Sequence, residues 1–282
     1  MRKIFLNFVI FIFLFIPLIS NAELNFGIAS MISPDETYFL YKDFGNYIAK
    51  KLGIKINAIF RRNYADMNRL IETGQVDFAS ICTGALIYLN NKKYEIAAVP
   101  VVNGKSTYKS YIIVNKNYGI NNIDELRGKV FAFTDRLSNS GYIYPTYLIL
   151  KKEKVKPEQF FSRIYFTNSH DKSIYLVNEG VVDGAAVDSL VFEYVSHSQP
   201  EKVKNIKIVH ESDEFLSPPF VVSTYLDKNI KQRLKRVLLN MHKNEEGAKI
   251  LKKLKIDKFV EPDYKLLKKV LTMRKFLNTF NN

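Results

Sequence analysis

From Leu24 onward the chain alternates short apolar runs with stretches of helical period. Residues 24–29 read as a strand. Ser33-Pro34-Asp35-Glu36 then supplies a serine cap, a proline in the first helical position and an acid at the third. That arrangement predicts a helix running to Leu52 and stopped by Gly53. Strands are expected over 54–60, 76–81, 95–102, 109–115 and 129–133, with a helix over 64–73 closed by Gly74. A short helix over 124–127 ends at Gly128, and a helical run from about Gly141 to Leu150 continues in spite of Pro145. The last third differs: 227–241, 245–254 and 263–280 read as Lys-rich amphipathic helices. Strands alternating with helices predict an α/β protein with largely parallel sheets.

One pattern recurs. Leu70-Ile71-Glu72-Thr73-Gly74-Gln75-Val76-Asp77 is echoed by Leu176-Val177-Asn178-Glu179-Gly180-Val181-Val182-Asp183. Each copy reads as a helix end, a glycine in the left-handed position, then Val-Asp opening a strand. A single copy is a common helix-to-strand connection. Two copies suggest two similarly built lobes.

The first 22 residues change the setting. Arg2 and Lys3 precede an almost unbroken apolar run over 4–19, and Ser20-Asn21-Ala22 places small residues where a signal peptidase reads. This predicts an export signal cleaved after Ala22. The alternative is an uncleaved membrane anchor, but the run is short for a span of about 20 residues. No cysteine follows it, so it is not a lipoprotein signal. The chain has 282 residues with 42 Lys+Arg against 28 Asp+Glu, a net charge of +14, which becomes +12 once Arg2 and Lys3 are removed. Such a charge suits nucleic acid, an anionic membrane surface or a small anion. Export removes nucleic acid from that set, and a charged helix face is usually just solvated. The single cysteine, Cys82, excludes a disulfide framework and a Cys-based zinc site. The four histidines lack metal-ligand spacing, so neither metal nor cofactor is expected. A lone cysteine in an oxidising compartment is expected to be buried.

Candidate chemistry gathers at strand ends, where open α/β sheets bind ligands. Phe131-Ala132-Phe133-Thr134-Asp135-Arg136-Leu137-Ser138-Asn139-Ser140-Gly141 runs from an apolar strand into a helix start. Ser138, Asn139 and Ser140 therefore lie where free backbone N–H groups and the helix dipole favour an anion. The plain alternative is that one serine only caps the helix. His170, in Thr167-Asn168-Ser169-His170-Asp171, occupies a second strand-to-helix junction, and Asp188 a third. A histidine there can donate to an anion or simply be a satisfied surface residue.

These stretches carry a resemblance. The chain resembles the periplasmic phosphate/phosphite/phosphonate-binding proteins of ABC importers. Asp135-Arg136-Leu137-Ser138-Asn139-Ser140-Gly141 is similar to that family's D-P-x-S-T-S-G loop, and Thr167-Asn168-Ser169-His170-Asp171 to its G-S-H-D/E segment. Tyr108-Lys109-Ser110-Tyr111-Ile112-Ile113-Val114 is similar to its Y-x-S-x-x-V-V strand, and the two Gly-x-Val-Asp copies to its paired signatures. The resemblance runs in order over the whole chain after Ala22. It implies a two-lobed Venus flytrap, each lobe a mixed, mostly parallel sheet flanked by helices. Lobe one would combine 23–107 with 215–282, lobe two would be 108–214, and the crossings would lie near 102–108 and 210–218.

The resemblance also implies roles. Ser138, Asn139 and Ser140 would bind the oxyanion, His170, Tyr64 and Tyr108 would complete its hydrogen bonds, and Asp188 would lie near the ligand's variable end. The lobes would close on a phosphonate, phosphite or phosphate and present it to a membrane permease. Two departures stand out: Asn139 replaces the family's threonine and Arg136 its proline. No acid occupies Ser217-Pro218-Pro219-Phe220, which argues against an amine-bearing ligand. Competing readings are a flytrap-fold sensory or interaction protein, and a phosphate-ester hydrolase with Ser138 or Ser140 as nucleophile and His170 as base. The second lacks a G-x-S-x-G elbow and a third triad member. Nothing in the pattern specifies an oligomeric state.

Overall fold

The structure, a computed structural model, describes residues 23–29, 31 and 34–280. The expected export signal and the Ser33 cap lie outside the described residues. The first half of the chain gives β1 (Glu23–Ala29), α1 (Pro34–Leu52), β2 (Lys55–Arg61), α2 (Tyr64–Glu72), β3 (Phe78–Ser80), α3 (Thr83–Leu86), β4 (Tyr94–Val101), β5 (Thr107–Tyr108), β6 (Ser110–Asn115) and β7 (Val130–Phe133). A π-helical turn over Asn139–Ile143 leads into α4 (Tyr144–Glu153), followed by α5 (Pro157–Phe160), β8 (Arg163–Phe166), α6 (His170–Asn178), β9 (Gly184–Asp188), α7 (Ser189–Ser198) and β10 (Ile206–Glu211). The chain then returns through β11 (Phe215–Leu216), β12 (Phe220–Ser223), α8 (Lys228–Asn240), α9 (Glu245–Lys253), β13 (Lys258–Val260) and α10 (Tyr264–Thr279).

Two sheets result. The first has the order β13-β4-β12-β3-β1-β2 and the second β10-β6-β9-β7-β8; β5 and β11 pair as a separate ribbon. Pairing is parallel at β1 with β2 and β3 and at β7 with β8 and β9. It is antiparallel wherever β12, β4, β13, β6 or β10 joins. The sheets are thus mixed, with less parallel pairing than the strand–helix alternation suggests. The reason is the chain's return: β12 comes back from the second sheet and enters the first against β3 and β4. The core of the first sheet is aromatic: Phe26 stacks on Phe78 at 4.6 Å between ring centres, with Phe44 and Phe220 against the same ring. The short element at 124–126 is a 3-10 turn (Asp124–Leu126) rather than an α-helix.

The repeated Gly-x-Val-Asp does the same work in both sheets. Gly74 and Gly180 each sit at φ +70°, a conformation that costs other residues strain. Asp77 N–H donates to Asn25 O at 2.9 Å, and Asn25 N–H donates to the Asp77 carboxylate at 2.7 Å. Asp183 exchanges the same pair of bonds with Val130, at 3.0 Å and 2.7 Å. Each aspartate therefore clamps its incoming segment to the parallel strand beside it. Removing the acceptor leaves a strand N–H without its partner, so Asp183→Ala should lower the unfolding free energy by about 1–3 kcal/mol, measured by urea titration. Asp183→Asn, which keeps an acceptor oxygen, should lose less.

Candidate functional site

The loop after β7 is built around Ser138. Its extended backbone (φ −73°, ψ 124°) caps the π turn, and its Oγ accepts from Gly141 N–H at 3.0 Å. The Ser138 carbonyl accepts from both Tyr142 and Ile143, at 3.1 and 2.9 Å, which widens the first turn. Pro145 has no N–H to offer the Gly141 carbonyl four residues earlier. That carbonyl instead accepts from Thr134 N–H at 3.2 Å, tying the helix start back to the end of the strand. A side chain at Gly141 would run into Thr134. Ser138, Asn139 and Ser140 are all fully buried.

His170 opens α6 and is 1% exposed. Asp188 N–H donates to its Nδ1 at 3.0 Å, so that nitrogen carries no hydrogen and Nε2 does. Nε2–H faces Ser138 Oγ at 3.4 Å. With Gly141 N–H and His170 Nε2–H both directed at its oxygen, Ser138 keeps its own hydroxyl hydrogen as a donor. The arrangement also leaves His170 without a free basic nitrogen facing either serine. Burial holds its pKa down to about 3, so the ring is neutral.

Asp188 closes β9 and caps α7: Oδ1 accepts from Leu190 and Val191 N–H at 2.8 and 3.4 Å. Its Oδ2 is buried and has no hydrogen-bond partner. Asn139 Nδ2 donates to Tyr108 Oη at 3.0 Å, and the Ser140 carbonyl accepts from Ser110 Oγ at 2.6 Å. Asn139 Oδ1 and Ser140 Oγ are likewise buried without a partner. A buried polar atom left unpaired costs about 1–3 kcal/mol, and three of them gather in this region.

The first sheet contributes the opposite wall. Tyr64, at the start of α2, is 2% exposed. Its N–H donates to Asp135 Oδ2 at 3.0 Å, while Leu137 N–H donates to Oδ1 of the same carboxylate at 2.7 Å. Burial pushes the Tyr64 hydroxyl well above its usual pKa, with Cys82, Asp135, Asp188 and Tyr108 adding to the rise as its electrostatic neighbours. Tyr64, Tyr108, Ser138, Asn139, Ser140, His170 and Asp188 are thus brought into one buried region.

Sequence reasoning assigned no role to Asp135 or to Cys82-Thr83-Gly84, which follow β3. For Cys82-Thr83-Gly84 the signal was position alone, at the carboxyl end of a strand; Asp135 also opens the stretch similar to the D-P-x-S-T-S-G loop. The backbone N–H groups of Asn139, Gly84 and Ala85 are aimed at the Cys82 sulfur, whose pKa burial pushes up to about 11. Gly84 packs directly on the opposite backbone: a Cβ there would overlap Leu137 O and Asn139 N. Arg136, which replaces the proline of the resembled loop, takes the solvent side, where it is exposed and lies over the Phe166 ring at 4.3 Å.

Two buried groups pull stability in opposite directions with pH. Burial raises Asp188 from 3.8 to about 7, so its stabilising contribution is complete at low pH and is lost as pH rises through about 7. His170 is lowered from 6.5 to about 3, so its contribution is present above 6.5 and is lost as pH falls. Asp188→Asn keeps the helix cap and removes the first effect. The variant should therefore lose more thermal stability than the wild type between pH 6.5 and pH 5. Parallel curves would show that Asp188 is not held protonated.

The chain is similar to several known proteins. A family model described as the periplasmic substrate-binding protein of an ABC phosphonate transporter matches residues 26–267. The phosphonates-binding periplasmic protein of Escherichia coli K12 is 28% identical over 237 residues, 82% of this chain and 70% of that one. A binding protein component of an ABC phosphonate transporter from Pseudomonas aeruginosa superposes with a TM-score of 0.84 at 25% identity, covering 90% of this chain and 86% of that one. PhnD1 of Prochlorococcus marinus, solved with methylphosphonate, shares the fold with a TM-score of 0.82 at 23% identity over 92% of this chain and 99% of that one. The chain belongs to the family of periplasmic substrate-binding proteins of ABC phosphonate transporters.

Proposed function

We propose that this chain captures a small phosphorus oxyanion (phosphonate, phosphite or phosphate) between two lobes and delivers it to an ABC permease. Residues 1–22 would direct export and be cleaved. Lobe one would comprise 23–107 with 215–282 and lobe two 108–214, hinged near the β5–β11 ribbon. The observation that carries the reading is the convergence of Ser138, Asn139, Ser140, His170, Tyr64, Tyr108 and Asp188 in one buried region, where the Ser140 hydroxyl has no partner and Ser138 keeps its hydroxyl hydrogen to donate. The anion docks on the helix start, taking the Ser138 hydroxyl hydrogen and the Ser140 hydroxyl. Tyr64 and the Cys82-Thr83-Gly84 segment close over it. Neutral donors fixed in place hold an anion well in a dry site because they need no reorganisation. The long-range field of a basic protein adds attraction rather than contact.

Binding without turnover is the favoured outcome, because the only hydrogen-free nitrogen of His170 is taken by Asp188 N–H. Purified protein should not hydrolyse p-nitrophenyl phosphate. Among phosphate, phosphite, methylphosphonate, aminoethylphosphonate and sulfate, at least one phosphorus anion should stabilise the protein by about 2.7 kcal/mol at 100 times its Kd, read as a thermal shift. No shift with any of them overturns the ligand class. Calorimetry on Ser138→Ala and His170→Ala should show a loss of about 1.5–3 kcal/mol for each donor or its support. Unchanged affinity in both removes the proposed site.

Closure has its own test. At Gly84 any side chain meets Leu137 and Asn139 across the seam. Gly84→Val burdens the closed form with an overpacking cost of about 1–3 kcal/mol and leaves an open form untouched. Affinity should fall by roughly 5- to 150-fold while the urea midpoint of the ligand-free protein changes little.

A further inference from the structure

Beside the polar cluster lies a second compartment of different character. It is a cavity of about 130 Å³ bordered by Ala29, Met31, Leu190, Val191, Pro218 and Ile256, among others. Three segments join it to the oxyanion region. Met31 lines the cavity and its carbonyl accepts from His170 N–H at 2.9 Å. Leu190 and Val191 line it while their N–H groups hold Asp188. Pro218 lines it and follows Ser217, whose buried hydroxyl has no partner. The first turn of α7 therefore has a carboxyl on one side and this apolar chamber on the other.

Its chemistry is one-sided. Among the described lining residues there is no carboxylate. The Ser80 hydroxyl is paired with Tyr41, and Lys255, exposed, is the only cation among these described residues. Apart from Asp188 next to it, whose buried carboxyl is held toward its neutral form, a primary amine would find no counter-charge in this wall and a like charge beside it. A dry cavity of about 150 Å³ lined by such side chains is large enough to take benzene, so this one has room for several carbon atoms. A phosphite or methyl group leaves it unfilled.

We propose that the ligand is an alkyl- or arylphosphonate whose carbon substituent, about four to six carbons, fills this chamber while its oxyanion is held at Ser138–Ser140. The proposal rests on the oxyanion reading and adds the class of the substituent. The strong acid end fixes orientation and the chamber selects by apolar area.

The test is calorimetry on the purified protein with phosphite, methyl-, propyl-, butyl-, phenyl- and 2-aminoethylphosphonate. Each added methylene up to butyl should tighten Kd by about fourfold, and phenylphosphonate should rank with butyl. Ile256→Trp and Leu254→Trp, which reduce the chamber from one side, should weaken butyl- and phenylphosphonate by about tenfold or more. Phosphite should bind both variants as it binds the wild type, which also reports that they fold. Affinity that stays flat or falls with chain length, with phosphite and methylphosphonate still bound, overturns the chamber and leaves the oxyanion reading standing. Tighter binding of 2-aminoethyl- than of propylphosphonate overturns the apolar assignment. No binding of any phosphonate or phosphite overturns the oxyanion reading itself.

Discussion

The hydrogen bond from Asp188 N–H to His170 Nδ1, at 3.0 Å, decides what the polar cluster can do. It fixes the imidazole tautomer, which directs a second hydrogen at Ser138 Oγ. That oxygen already accepts from Gly141 N–H, so the serine turns its own hydrogen outward. One backbone group thus converts a serine–histidine pair, which elsewhere could serve as nucleophile and base, into a chain of donors. The same residue supplies the helix cap through its carboxylate. Asp188 is therefore committed at its backbone and at one oxygen, and a single oxygen remains for a guest.

Much of this was legible in the residues, and the illegible parts have physical causes. Ser138-Asn139-Ser140 announces itself because polar residues follow an apolar strand at a helix start. The repeated Gly-x-Val-Asp is readable because a left-handed glycine and a strand-opening acid are local requirements. The π turn is not readable, since its apolar positions fit an ordinary helix; only Pro145, which falls beyond the first turn of a run that starts at Ser138, hints at it. The tautomer of His170 depends on a strand end 18 residues away in sequence. Cys82-Thr83-Gly84 carries no polar pattern, because its role is to let two backbones approach. The antiparallel share of each sheet depends on where the chain returns, which hydrophobic period does not encode.

The two halves are joined by more than the chain crossings. Asp135 accepts from Tyr64 and Leu137, on opposite sides of the seam, and His170 N–H donates to Met31 O. The last helix adds a third link. α10 buries Val270, Met273 and Leu277 with Ile87 and Phe215 on one side and Ile143 and Leu150 on the other, and Phe276 meets Tyr147 of α4 edge-on at 5.1 Å between ring centres. The C-terminal helix is consequently packed on both halves rather than on one alone.

Cys82 gives the seam a chemical identity. It is the chain's one cysteine, 1% exposed, with its thiol held at a pKa of about 11. A thiol reacts as its thiolate, so here both access and ionisation are withheld. Both protections depend on the opposing halves, because the walls of the seam supply the burial that raises the pKa against the opposite pull of Asn139 N–H. Parting the halves would admit water to the sulfur and lift the desolvation that raises its pKa. With the lobes closing on ligand as proposed, oxidative damage would fall chiefly on protein without ligand, and a saturated population would outlast a starved one.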